Sequence, residues 1–277
     1  AHLAMRQASA EGRDRWVLAH RDLSEHPRRS LQLQQEIRSA LEADAFQAWF
    51  MPVVDLTSGS CQGFEALMRW VRADGSVVMP DAVLPTARGN ALAEAIDLAI
   101  LRQSIQRLAL LPQEQFVAAN ITPSTLGHPG LADLISNWLA EADVSPVRLH
   151  LEITETDLLT LSPSIQQTIE RLAALGVRWL IDDFGTGFSS ISHLRDLPIH
   201  GIKLDRSFTA AIGEGDQKSV RLAQALAGMA EGLGLATVAE GVETAEAATC
   251  LHQLGWRAGQ GWYFGKPTPD PAGPAPD

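Results

Sequence analysis

From Gln47 onward the chain repeats one pattern: a short apolar run rich in β-branched and aromatic residues, a polar residue near its end, then a stretch of helical periodicity. Strands are predicted at 48–54, 63–70, 116–121, 148–153, 177–182, 201–204, 236–239 and 261–264, and amphipathic helices at 91–110, 131–142, 164–175, 217–233 and 245–254. A further helix over 28–43 leads into the first strand. Strands that alternate with helices build parallel sheets, and eight of them suggest closure into a barrel. The first two strands break the rule. Asp55, Thr57, Ser58 and Gly59 make a connection too short for a right-handed crossover, which needs about a dozen residues, so these strands should pair antiparallel. The expected fold class is therefore α/β, a modified TIM (β/α)8 barrel with the first strand antiparallel.

Both ends fall outside this rhythm. Residues 1–16 read as another helical piece, and the end of the chain carries Pro267, Pro269, Pro271, Pro274 and Pro276, which can neither donate to a ladder nor continue a helix. The expected division is 1–27 as the end of an upstream unit plus linker, 28–267 as the barrel, and 268–277 as a disordered Pro-rich tail.

Composition narrows the functions. Hydrophobic residues make up 45% and charged ones 20%, enough apolar material for one large core. A formal net charge of −11 argues against capture of DNA, RNA or an anionic membrane, since each requires basic surface to replace counterions. Cys61 and Cys250, a lone and distant pair, form neither a disulfide framework nor a zinc spacing. With no membrane-length apolar run and no signal-peptide pattern, the expected location is cytoplasmic; a full-length protein with a membrane tether elsewhere is compatible with that.

The chemistry lies in the inward positions of the strands. Period-two alternation places Leu149, Leu151 and Ile153 toward the helices, which turns Glu152 inward beside Thr154. In the next strand Trp179 and Ile181 face out and Asp182 faces in, while Asp183 can fold over as the strand ends. The same reading turns Glu65, Asn120, Lys203 and Glu240 inward, and all should meet at the carboxyl-terminal mouth of the barrel. Two unit charges about 4 Å apart repel by roughly 4 kcal/mol at an effective dielectric near 20. Five converging carboxylates must therefore take up protons or bind cations.

An all-oxygen donor set favours Mg²⁺ or Mn²⁺, and two such ions suit in-line attack on a phosphodiester. Lys203 would add a cation or proton-transfer group, and Arg69, on the strand face of Glu65, would hold a nonreacting phosphate. Each residue alone has a plainer reading. A strand-end acid is commonly a helix cap, Lys203 could pair with Asp205, and His150 reads as a satisfied core residue. The glycines of Asp182-Asp183-Phe184-Gly185-Thr186-Gly187 read as a tight loop turn, and most of the seven tryptophans as packing residues.

The run Phe64-Glu65-Ala66-Leu67-Met68-Arg69-Trp70 resembles the signature of EAL-domain cyclic di-GMP phosphodiesterases. The resemblance continues through Asn120, Leu151-Glu152-Ile153-Thr154-Glu155, the stretch 181–190, Ile202-Lys203-Leu204-Asp205, Val238-Ala239-Glu240-Gly241-Val242-Glu243 and Gln260-Gly261. It implies that Glu65, Asn120, Glu152 and Asp182 hold one ion and that Asp182, Asp183 and Glu240 serve the other. It further implies that Lys203 assists the attacking water, Gln260 orients solvent or ligand, and Arg69 and Asp205 contact the substrate. Glu155 would anchor the loop 183–190, which is implied to couple metal occupancy to contacts in a homodimer. The implied reaction opens cyclic di-GMP to linear pGpG. The looser coordination geometry of Ca²⁺ is expected to permit binding while stalling chemistry. The start of the chain, through Leu3-Ala4-Met5-Arg6-Gln7-Ala8 and Gly12-Arg13-Asp14-Arg15-Trp16, resembles the end of a GGDEF domain.

Two departures stand out: Met51 where such domains usually place glutamine before Pro52, and Thr86-Ala87-Arg88-Gly89-Asn90 in place of a Leu-Ala-Glu-rich stretch. A catalytically silent cyclic di-GMP receptor is the alternative function. An enolase-like lyase ranks below both, for want of a capping domain.

Overall fold

The structure, a computed structural model, describes residues 22–87, 91–159, 161–187 and 191–271. Helix α1 (Asp22–Glu42) runs into a hairpin of β1 (Phe46–Asp55) and β2 (Cys61–Val71), and β3 (Val77–Val78) adds a short antiparallel pair to β2. Then follow α2 (Pro80–Ala87), α3 (Ala91–Leu108), β4 (Phe116–Asn120), α4 (Pro123–Leu126), α5 (Leu131–Glu141), β5 (Leu149–Thr154), α6 (Glu155–Leu158), α7 (Pro163–Leu175) and β6 (Arg178–Phe184). The chain continues with α8 (Ile191–Asp196), β7 (Gly201–Leu204), α9 (Arg206–Gly213), α10 (Gln217–Gly232), β8 (Ala236–Ala239), α11 (Ala245–Gln253) and β9 (Ala258–Gln260).

Eight strands close into a barrel in the order β1-β9-β8-β7-β6-β5-β4-β2, with β2 returning to β1. β1 is antiparallel to both its neighbours, and every other neighbouring pair in the ring is parallel. The turn that reverses β1 is written locally. Asp55 Oδ1 accepts from Thr57 N (3.0 Å) and Ser58 N (2.7 Å), and Gly59 takes φ 73°, a conformation costly for other residues.

The alternation divides the core into two bodies. Outward residues such as Leu149, Leu151, Ile153, Trp179 and Ile181 are fully buried against the helices. Inside the barrel, Val53, Leu180, Val238 and Ala258 form a smaller cluster with Phe116 packed against it. The helix stops follow from sequence: Ser162 caps α7 through Ile165 N, Gly176 ends it at φ 105°, and Asp216 caps α10 through Lys218 N and Ser219 N.

Two expectations change. The last barrel strand is Ala258–Gln260 rather than 261–264. Trp262 and Tyr263 have the composition of a strand, yet they are exposed at 62% and 49% on a turn that follows it. Small residues take the ladder because space is short: a Cβ on Gly259 would meet Leu56 and Phe264 side chains at 3.0–3.1 Å. The tail is also tied down where it begins. Thr268 exchanges both backbone hydrogen bonds with Phe50 (2.7 and 3.1 Å), and Asp270 pairs with Arg107 (2.7 Å).

Residues 1–21, 88–90, 160, 188–190 and 272–277 lie outside the described residues, and with them the helical piece expected over 1–16, part of the 86–90 departure, the end of the loop 183–190 and most of the tail expected over 268–277. Among the described residues, no helix is long and apolar enough to cross a membrane.

Candidate active site

At the carboxyl ends of the parallel strands the inward side chains meet around one amine. Lys203, 1% exposed on β7, places Nζ 2.7 Å from Glu152 Oε2 and from Glu240 Oε1, and 3.3 Å from Glu65 Oε2 and from Asp182 Oδ1. These acids come from β2, β5, β6 and the residue that follows β8. The pairing of Lys203 with Asp205, considered as a structural alternative, is not formed. Asp205 instead caps α9, accepting from Ser207 N (3.0 Å) and the Ser207 hydroxyl.

Two consecutive aspartates can serve one mouth only if the strand alternation is broken, and β6 breaks it twice. Its register with β7 shifts between Ile181 and Phe184, and Asp183 takes φ 53° in the left-handed region. That conformation costs a non-glycine residue roughly 1–3 kcal/mol, which the surrounding structure must supply. Part of the support is Glu155, buried on the first turn of α6. Its Oε2 accepts from Gly185 N (2.9 Å) and Gly187 N (3.2 Å), fixing the chain just after the two aspartates.

Amides complete the ring. Asn120 Nδ2 donates to Glu65 Oε1 (3.0 Å), and Gln260 Nε2 donates to Glu65 Oε2 and to Glu240 Oε1 (3.0 Å). Gln260 reaches the ring because of the glycine after it. At Gly261 (φ 154°) an added Cβ would lie 2.2–2.3 Å from the Val242 backbone, to which this segment is bonded through Val242 N→Gln260 O (3.0 Å) and Tyr263 N→Val242 O (3.0 Å). Arg69 lies four residues beyond Glu65 on β2, buried, with Nη1 donating to Met68 O (2.8 Å) and its guanidinium 6.0 Å from the Trp49 ring centroid. Met51 stands directly opposite Glu65 in the hairpin register.

The electrostatics are those of a site short of positive charge. Burial, followed by the charges of Asp182 and Glu65 against the opposing pull of Lys203, pushes Glu240 up to about 8. Burial and Asp182 raise Asp183 to about 6, and burial raises Glu152 well above the ordinary carboxylate range. Burial would lower Lys203, but Asp182, Glu152, Glu240 and Glu65 overcome it and hold the ammonium well above its usual value. One lysine faces five acids. Asp182, Asp183 and Glu240 bring ligand oxygens within 4.8 Å of one another; Gln260 Oε1 is buried without a hydrogen-bond partner, and Asp182 Oδ1 has only the 3.3 Å ion pair with Lys203. A crowded all-oxygen donor set with acceptors left short of hydrogen bonds fits divalent cations of the hard class.

The EAL domain family matches residues 34–267. This chain belongs to the EAL domain family. A curated relative, the cyclic di-GMP phosphodiesterase NbdA of Pseudomonas aeruginosa, is 36% identical over 276 residues, covering 97% of this chain and 35% of that protein. The chain thus spans about a third of the length of the curated relatives it matches. Among solved structures, the PaMucR phosphodiesterase in complex with c-di-GMP superposes with a TM-score of 0.80 at 32% identity, covering 86% of this chain and 98% of that one. The Klebsiella pneumoniae BlrP1 calcium/cyclic di-GMP complex superposes with a TM-score of 0.71 at 26% identity, covering 81% and 56%.

Sequence reasoning alone brought Glu65, Asn120, Glu152, Asp182, Asp183, Lys203 and Glu240 to this mouth. Gln260 entered only through the family resemblance, because a glutamine beside glycine carries no signal of its own. His150 is the buried core residue expected, stacked on Phe116 and bonded to the Val147 backbone, with only its Nδ1 left without a hydrogen-bond partner.

Proposed function

We propose that this domain hydrolyses one phosphodiester bond of cyclic di-GMP, releasing linear pGpG, with two Mg²⁺ or Mn²⁺ ions held at the barrel mouth. The observation that carries this reading is the intact ring of Glu65, Asn120, Glu152, Asp182, Asp183 and Glu240, with the oxygens of Asp182, Asp183 and Glu240 within 4.8 Å of one another. Glu65, Asn120, Glu152 and Asp182 would hold one ion and Asp182, Asp183 and Glu240 the other, Asp182 being shared. Bound ions of this kind supply Lewis acidity to phosphoryl oxygens and make water a stronger acid.

The chain's own groups do the rest. Gln260 and Asn120 fix the Glu65 carboxylate through hydrogen bonds to both its oxygens, so the donor set is oriented before a ligand arrives. Lys203 holds a positive charge among Glu152, Glu240, Glu65 and Asp182 and assists the attacking water. Arg69 would hold the nonreacting phosphate with a planar pair of donors, and Asp205 would touch the substrate from the start of α9. The loop 183–190, which Glu155 holds at Gly185 and Gly187, would transmit ion occupancy to a homodimer contact.

The test is direct. Purified protein loaded with Mg²⁺ or Mn²⁺ should convert cyclic di-GMP to pGpG, resolved by liquid chromatography, and Asp182→Asn should abolish turnover. Tight binding of cyclic di-GMP with no pGpG formed by the metal-loaded protein would replace the hydrolase with a receptor. Replacing Mg²⁺ by Ca²⁺ should retain binding and suppress turnover.

A further inference from the structure

The strands that carry mouth residues carry partners two positions earlier on the same inward face: His150 below Glu152, Leu180 below Asp182, Val238 below Glu240, Ala258 below Gln260. Two residues advance a strand by roughly 6.6 Å, so a second layer lies about one side chain beneath the acids. This layer does not seal the barrel. A cavity of about 610 Å³ opens at the end opposite the mouth, reached from the starts of the strands. Part of the room comes from a missing Cβ: one added at Gly63 would overlap the Phe116 ring at 2.7 Å, so β2 yields its inward space to that ring.

The cavity has two kinds of wall. Its floor is apolar, made by Phe116, Leu180, Val238 and Ala258. Its rim carries Arg148, Arg178 and Arg257 against the single carboxylate Glu114, an inversion of the chain's overall charge of −11. Arg148 spends its donors on the carbonyls of Gln115 (2.8 Å), Leu111 (3.1 Å) and Pro112 (2.7 Å). Arg257 has only a loose, exposed approach to Glu231 at 3.6 Å, and the Arg178 guanidinium makes no hydrogen bond or ion pair with the described residues. His150, in the same lining, is 8% exposed and leaves Nδ1 without a partner. The lower end of such barrels ordinarily serves packing alone. Packing requires neither a basic rim around an unfilled apolar floor nor a buried imidazole nitrogen left unsatisfied, and the exposed guanidinium groups of Arg178 and Arg257 face water, free to meet a ligand.

We propose that this cavity is a second ligand site, for a purine mononucleotide whose phosphate monoester lies on Arg178 and Arg257 and whose flat base covers the apolar floor. Two unspent guanidinium groups match a dianion better than a carboxylate, and the volume falls in the range of roughly 300–1,000 Å³ that holds ligands of this size. The site is separate from the acid ring, so it stands or falls independently of the hydrolase.

The chain carries its own reporter. Cys61 is a free thiol that lines the cavity, and the other free thiol, Cys250 on α11, can be replaced by serine. In that background, maleimide labelling of Cys61 would be followed with GMP, guanosine or inorganic phosphate added at millimolar concentration, and GMP binding would be measured in parallel by calorimetry. GMP should slow labelling markedly, with guanosine and phosphate each much less effective. Arg178 is exposed, so Arg178→Glu should fold normally, label at the unliganded rate, and bind GMP at least roughly tenfold more weakly, as loss of charge-assisted bonds implies. Equal labelling with and without GMP together with no calorimetric binding would overturn the proposal, as would protection and affinity unchanged by Arg178→Glu.

Discussion

Replacing Lys203 by methionine keeps the length of the side chain and removes the one positive charge at the centre of the acid ring. The ammonium now lies within 2.7–3.3 Å of four carboxylates, at 1% exposure. Removing one partner of a buried ionic cluster costs about 3–5 kcal/mol, because the charges left behind are uncompensated. For a domain of this size each kcal/mol moves Tm by about 2–4 °C, so the metal-free variant should melt roughly 6–20 °C below the parent. Arg171→Ala is the control: its ion pair with Asp133 at 2.8 Å is 58% and 71% exposed, and such pairs contribute about 0–1 kcal/mol. Differential scanning calorimetry in EDTA, then with increasing Mg²⁺, gives both numbers. Added cations substitute for the missing charge, and at about 100 times Kd they return about 2.7 kcal/mol. A Lys203→Met variant that melts within about 2 °C of the parent in EDTA, or that Mg²⁺ fails to stabilise, would refute the electrostatic reading of the ring.

Three further outcomes follow from single contacts. Burial, then the nearby charges of Arg178 and His200, lowers His150 to about 3. The unfolded chain therefore binds this proton first as pH falls below about 6.5, and stability is lost from there toward the folded value, by at most about 5 kcal/mol; His150→Phe, which retains the stack on Phe116, should flatten that part of a denaturation-versus-pH profile, and an unchanged slope would contradict the assignment. Glu155→Ala frees Gly185 N and Gly187 N together, and should cost about 1–3 kcal/mol in urea denaturation and slow turnover more than it weakens cyclic di-GMP binding. Gly261→Ala forces a Cβ into the Val242 backbone, so the Gln260 amide should leave Glu65 and Glu240, with turnover lost while the far-UV circular dichroism is retained; full activity would show the segment can shift.

Much of the barrel could be read in advance because one physical rule governs it. An inward carboxylate on a strand whose alternate residues are Leu, Leu and Ile has only one face to occupy, which located Glu152 without a structure. The reversal of β1 was legible for a similar reason: the residues Asp55 to Gly59 can only turn. Reading failed where packing overrides composition. Trp262-Tyr263-Phe264 has strand chemistry but lies on a turn, since only Ala258-Gly259-Gln260 is thin enough to pass Leu56 and Phe264. The lower cavity was invisible for a different reason: Arg148, Arg178 and Arg257 open three separate strands or their approaches, and only closure of the ring brings them together. The burial of His150 was legible too, whereas the unpartnered state of its Nδ1 cannot be counted along a chain.

The reversed first strand has a mechanical consequence. In a regular barrel the leading segment enters at the foot, far from the reacting groups. Here Val71 N, at the far end of β2, bonds Ala45 O (2.9 Å), so α1 delivers the chain to the rim beside Arg69 and Trp49. A twist or tug applied along α1 enters the barrel at the Phe46–Trp70 pair, on the same strand on which Met51 faces Glu65. The helix thus meets the barrel at its working end, and within β1 only the stretch 46–50 separates that entry from Met51.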